Sequence, residues 1–182
     1  MKTTLENVRL SYQGLKDLRT LTTTALLVAL GVILGFFTIA PNEMLKIGLG
    51  FVATSVMGFL FGPIPALLGA SAVDIISYLI RPTGPYFFGF TLDKALSGII
   101  YGLLLYRKPI RLWRAFAAKG LVSLIVNCML ATYWLSILYG KSISVLLPAR
   151  VIKNAIALPF EAAALWLLLL GVQKAWARVS RR

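Results

Sequence analysis

The stretch that decides the fold is LTTTALLVALGVILGFFTIA, residues 21–40. It holds no charged residue, and as a helix rising about 1.5 Å per residue it crosses the ~30 Å hydrocarbon core of a bilayer. Pro41 and Asn42 end it, and a short loop with Glu43 and Lys46 follows. Further apolar runs repeat the pattern outward from there. A second span is read over 47–61, then a tight uncharged turn at Gly62, Pro63 and Pro65, then a third span over 66–80. Residues 81–90, RPTGPYFFGF, are too rich in proline and glycine for a regular helix, and too aromatic to be well solvated. This loop is either an interfacial aromatic belt or a lid folded over a cavity. A fourth span covers 91–106, a fifth 120–139 and a sixth 148–172, with Pro148 in its first turn and Pro159 as a kink. The fold expected is an all-α integral membrane protein, a bundle of six transmembrane helices in a single membrane domain over 1–182.

Charge sets the expected orientation. Of 19 Lys and Arg, 13 fall in the polar leader 1–20, the segment 107–119 (RKPIRLWRAFAAK) and the tail 173–182. The positive-inside rule puts those three segments, and hence both termini, in the cytoplasm. The net charge of +13 is thereby explained without nucleic acid. Leu5, Val8, Tyr12 and Leu15 have loose helical spacing, so the leader suits a short helix on the inner leaflet. The single cysteine, Cys128, allows no internal disulfide, and the absence of histidine removes His-based catalysis and metal binding. There is no Walker A loop, zincin motif or nucleophile elbow. No ring of like charges or filter-like glycine run suggests a channel.

A few polar residues lie inside or beside the apolar runs, where burial in hydrocarbon costs several kcal/mol by a rough measure. Arg150, Lys153 and Asn154 share one face of the sixth span, with Glu161 nearly in line. Two cations and an amide suit an anionic ligand bearing carboxylates, while Arg150 alone could snorkel to the outer interface. Asp93 and Lys94 open the fourth span, where an acid suits the helix N-terminus or can accept hydrogen bonds from a nitrogen heterocycle. Asp74 can pair with Arg81 along the third span. Asn127, in mid-span, must point inward. Small residues at four-residue spacing (Ala25 and Ala29, Gly31 and Gly35, Gly58 and Gly62, Gly98 and Gly102) let helix backbones approach closely. Most suit packing within the bundle. The thin flank of the first span, Thr22, Ala25, Ala29 and Ala40, suits a partner helix.

Several segments together resemble the substrate-binding S components of energy-coupling factor (ECF) vitamin importers. They are Ala25-Leu-Leu-Val-Ala29, LKIGLGF (45–51), GFLFGP (58–63), DIISYLIRPTGPYFFGFTL (74–92) and PARVIKNAIALPFE (148–161). The last four look most like the folate-specific branch. The resemblance implies a non-catalytic subunit in the plasma membrane of a bacterium that binds its vitamin near the outer face. The loops after the first, third and fifth spans would cap the site. It also implies docking through Ala25 and Ala29 onto a membrane coupling subunit driven by two cytoplasmic ATPases, then toppling to deliver the ligand. ATP would be used only by those partners, and no cofactor or metal is expected. For folate, Lys46, Arg150 or Lys153 would meet the glutamate carboxylates, and Arg81 is counted with the substrate-binding residues. Tyr86, Phe87, Phe88, Phe90, Tyr133 or Trp134 would stack on the pterin. Asp93, Asn127 or Asn154 would read its edge. Another vitamin such as riboflavin or thiamine is the alternative within the class. A small intramembrane enzyme or assembly factor using Asp74, Asp93 and Glu161 as acids is the alternative outside it.

Overall fold

The computed structural model describes residues 2–37, 39–42, 45–82, 84–140 and 142–179, with residues 2–4, 39–42, 45–47 and 179 as backbone only. Glu43, Lys141, Arg181, Arg182 and the side chains of Lys2 and Lys46 therefore lie outside the described residues. The chain runs α1 (Lys2–Gly14), α2 (Leu18–Phe36), β1 (Ile39–Asn42), β2 (Leu45–Ile47), α3 (Gly50–Phe61), α4 (Pro63–Ile80) and α5 (Phe88–Leu105). A long rod follows, made of α6 (Leu112–Leu121), a π-helical segment (Val122–Leu130) and α7 (Ala131–Tyr139), and then α8 (Ile143–Val179).

The bundle is helical with six helical positions, as the apolar runs predict, but several boundaries move for local reasons. Asp17 caps α2, its carboxylate accepting from the backbone N–H of Arg19 at 3.4 Å and Thr20 at 3.2 Å. The first span therefore starts three residues before Leu21. The loop after it is a two-stranded antiparallel hairpin, with Ile39 opposite Ile47. Five helical stretches are long and apolar enough to cross a bilayer. The second position, α3, has only 12 residues, or roughly 18 Å of rise. Pro148 lies inside α8 rather than at its start, and α8 runs 37 residues into the basic tail.

Glycines set the packing of α3, α4 and α5. A Cβ on Gly58 would stand 2.8 Å from the backbone nitrogen of Gly102, and one on Gly98 would stand 2.5 Å from the carbonyl oxygen of Ala66. Both pairs thus serve close backbone approach. Gly31 likewise admits Val73 and Ala53 beside α2. A second core joins α5, the rod and α8 through Tyr101, Leu105, Ala118, Val122, Leu165 and Leu169. Large apolar residues such as Leu26, Leu79 and Phe160 are turned outward, as a lipid-facing surface requires.

The π-helical segment solves a problem of phase. Before the π-helical segment the buried positions are Ala115, Ala118 and Lys119, within it Val122, Ser123, Val126 and Cys128, and beyond it Thr132 and Leu135. At about 100° per residue an unbroken α-helix would turn Leu135 to the face opposite Val126. The wider i→i+5 turns wind less per residue and bring both stripes against α5 and α8.

One end of the bundle is knitted together by α1. The buried Ser11 hydroxyl donates to the Phe61 carbonyl at 2.8 Å and accepts the Ile64 N–H at 3.1 Å. It thereby bridges the turn at Gly62, whose φ of +87° and contact with Ser11 require glycine. Trp176 meets Phe61 edge-on with centroids 5.6 Å apart, and Arg19 lies over the same indole at 5.0 Å. The basic segments gather at this end. Lys119 does not belong with them: the sequence puts it in a cytoplasmic loop, but it is a buried residue of α6, paired with Glu161 of α8 at 3.1 Å. Its ammonium also lies 3.8 Å from the centroid of the Phe51 ring. An ammonium inside the bundle needs such partners, and Glu161 supplies the charge.

Candidate functional site

Several of the polar and aromatic residues singled out in the sequence gather at the opposite end, where α5, α7 and α8 meet the loop after α4. At the centre is Asp93, which is buried. Helix α5 begins at Phe88, so Asp93 lies in its second turn and not at the N-terminus. Phe88, Gly89 and Phe90 continue the helix backward, so the irregular stretch is shorter than the sequence suggests. The indole N–H of Trp134 donates to Asp93 Oδ1 at 3.1 Å, while Oδ2 is buried with no hydrogen-bond partner among the described residues. Lys94, Arg150 and Asp74 are the other charged groups within Coulombic reach of Asp93.

Aromatic rings surround that carboxylate. Trp134 packs against Tyr133 at 5.0 Å and Phe87 at 5.6 Å, and Phe87 meets Phe90 at 5.9 Å. Gly89 makes this closeness possible. A Cβ there would stand 2.5 Å from Phe87 Cε1 and 2.7 Å from Trp134 Cδ2. Tyr86 packs on Tyr78 at 5.0 Å, and its hydroxyl lies 2.9 Å from that of Thr91. Thr91 in turn donates to Asp74 Oδ2 at 2.7 Å. Asp74 is therefore bonded to α5, and no ion pair joins it to Arg81 among the described residues.

A second cluster ties α8 to the π-helical segment. Arg150 donates from Nη1 to the Asn127 carbonyl at 2.8 Å, and Asn154 Nδ2 donates back to the Arg150 carbonyl at 2.9 Å. Asn127 and Asn154 meet at 3.5 Å. Asn127 is thus turned inward, as its position in mid-span requires. Lys153, half-buried on the same helix, lies within Coulombic reach of Arg150 and Glu161.

The structure brings Asp93, Tyr86, Phe90 and Tyr133 into one neighbourhood, with the Arg150, Asn127 and Asn154 cluster within Coulombic reach through Arg150. Phe88 is 69% exposed and turned away from the rings, and Arg81 is exposed at the end of α4. Lys46 lies on β2, its side chain outside the described residues. Ala25 and Ala29 are exposed on α2, apart from this site. Sequence reasoning missed Thr91, Gly89 and Tyr78. Their partners lie on other elements or depend on the turn of the loop, so no local spacing announces them.

A buried carboxylate ringed by aromatics, with cations and amides nearby, within a bundle of bilayer-length apolar helices, defines a membrane protein that binds a small polar organic ligand. The family description "ECF transporter, substrate-specific component" matches residues 19–170. The chain belongs to this family, and is accordingly a substrate-binding transporter component rather than an enzyme. It is 33% identical to a folate transporter, FolT, of Clostridium novyi (strain NT) over 142 residues, 78% of this chain and 83% of that relative. It is also 33% identical to FolT of Leuconostoc mesenteroides subsp. mesenteroides over 159 residues, 84% of this chain and 85% of that relative. The solved structure of FolT bound with folic acid is similar with a TM-score of 0.78 at 32% identity, covering 84% of this chain and 93% of that one.

Proposed function

We propose that this chain is the folate-binding subunit of an ECF-type importer. It captures folate at the outer face and delivers it inward by docking, through the flank carrying Ala25 and Ala29, on a membrane coupling subunit driven by two separate cytoplasmic ATPases. The basic end, with both termini, faces the cytoplasm of a bacterial cell. The observation that carries the ligand reading is Asp93. One carboxylate oxygen is held by Trp134, and the other is buried without a partner among the described residues. A buried acceptor left unsatisfied is costly, and a pterin offers the adjacent amino and ring N–H donors that would satisfy it. The rings of Phe87, Tyr133 and Trp134 supply flat apolar faces for the same heterocycle. Arg150 and Lys153 supply positive charge for the glutamate carboxylates, and Lys46 is assigned to the same role.

Detergent-purified protein titrated with folate, riboflavin and thiamine, followed by tryptophan fluorescence and calorimetry, tests this. Tight one-to-one binding of folate alone is expected. Asp93→Asn should weaken it by about 10- to 100-fold, the scale of a lost charged hydrogen bond. Tight binding of riboflavin or thiamine instead would discard the ligand assignment, and unchanged affinity in Asp93→Asn would discard the role of that carboxylate.

A further inference from the structure

The loop between α4 and α5 carries a hydrogen-bonded chain that ligand recognition does not use. Thr91 has one hydroxyl proton, and it is donated to Asp74 Oδ2 at 2.7 Å. The 2.9 Å contact between the Tyr86 and Thr91 hydroxyls must then be donated by Tyr86. The protons therefore run in one direction, from Tyr86 to Thr91 to Asp74. A chain of this kind ending on a carboxylate is strengthened along its length. Thr91 is buried at 4% exposure, so water competes poorly for the middle link. The same loop is held at a second point, where the Tyr78 hydroxyl donates to the Gly84 carbonyl at 3.3 Å, and the Tyr78 and Tyr86 rings pack together. Gly84 has φ of +83°, so the loop turns there in a conformation that suits glycine.

What this chain fastens is the residue that follows. Phe87 stands next to Tyr86 and packs on Trp134, which holds Asp93. We propose that Tyr86, Thr91 and Asp74 form a latch that holds the segment 84–87 shut over the Asp93 site, so that these three are positioning residues governing how fast ligand leaves. Asp74 is then an anchor for the loop and not a ligand group, its Oδ2 taken up by the Thr91 hydroxyl. Tyr86, which the sequence offers as a stacking residue, acts through its hydroxyl. The inference rests on the ligand-binding reading for its functional consequence, but the latch itself is made by the chain's own hydrogen bonds.

Two measurements separate these. First, stopped-flow tryptophan fluorescence with folate should show the dissociation rate rising about tenfold in Tyr86→Phe and in Thr91→Val, the scale expected for one lost hydrogen bond in a low-dielectric site. The association rate should change far less, and Tyr86→Phe, which leaves Thr91 bonded to Asp74, should keep the thermal midpoint. Secondly, amide hydrogen exchange of the unliganded protein in detergent should be faster over 81–90 in both variants, with the rest of the bundle unchanged. Tyr12→Phe, an exposed tyrosine on α1, is the control and should leave both readouts alone. Faster exchange without any folate binding by the wild-type chain would uphold the latch and remove the folate assignment. Unchanged exchange over 81–90 in the two variants would overturn the latch, whatever folate does. So would accelerated exchange with an unaltered dissociation rate, because the loop would then not gate the site.

Discussion

At the residue scale the site depends on a missing side chain as much as on those present. Gly89 lets Phe87 and Trp134 close over the first turn of α5, and both would be within 3 Å of any Cβ placed there. Gly89→Ala should therefore displace the indole from Asp93 and lower ligand affinity by about tenfold, as expected when a roughly 1.4 kcal/mol hydrogen-bonded contact is lost. Calorimetric titration of the variant against wild type checks this, with the far-ultraviolet dichroism expected to stay helical. Much of this neighbourhood was legible in the residues themselves. A carboxylate, two amides and two cations are costly in otherwise apolar runs, so Asp93, Asn127, Asn154, Arg150 and Lys153 could be singled out, although snorkelling of Arg150 stayed open. The aromatic loop 81–90 could be singled out too, although its choice between belt and lid could not. Which rings meet was not legible. Phe87 and Phe88 are adjacent and chemically alike, yet one packs on Trp134 and the other is exposed, because the helix starts between them.

At the scale of elements, helix positions were legible because an uncharged run long enough to cross a bilayer has few other uses. Their phase was not. The rod from Leu112 to Tyr139 buries two stripes that no single α-helical period connects, and the π-helical segment that reconciles them has no sequence signature beyond that mismatch. Lys119 was misplaced for a related reason. It follows four other cations in a basic segment, and only the registry of α6 against α8 brings it to Glu161. Removing one member of a buried pair leaves the other charge uncompensated, so Lys119→Met should lower stability by about 3–5 kcal/mol. Replacing both, as Lys119→Met with Glu161→Leu, should recover most of that loss, because well-packed apolar residues often match a buried pair. Thermal unfolding of the three proteins in the same detergent gives the answer. Equal destabilisation by the single and double changes would mean that the pair does more than neutralise itself.

For the whole molecule, the proposed binding site and the proposed docking flank lie on separate surfaces. The Asp93 site lies among α5, α7, α8 and Phe87, while Ala25 and Ala29 are exposed on α2. Ala29→Trp should therefore leave ligand affinity within about twofold, as for a distant independent site, and abolish co-purification with the proposed coupling subunit. Parallel titration and pull-down of the one variant would check both halves. The unequal lengths of α3 and α8 carry a further consequence. A helix of 12 residues and one of 37 stand in the same bundle; α8 can pass out of the bilayer through its basic tail, but α3, at roughly 18 Å of rise, falls short of a ~30 Å hydrocarbon core. Any upright pose leaves a mismatch at one side, and tilting the bundle exchanges one mismatch for another at a modest cost per ångström. A mismatch at α3 would make lipid thickness a control on the pose of the molecule. In liposomes of graded acyl-chain length, with the partner subunits present, uptake should vary strongly with chain length while ligand affinity stays flat. The membrane would then be a participant in transport, acting through the angle at which it lets the protein stand.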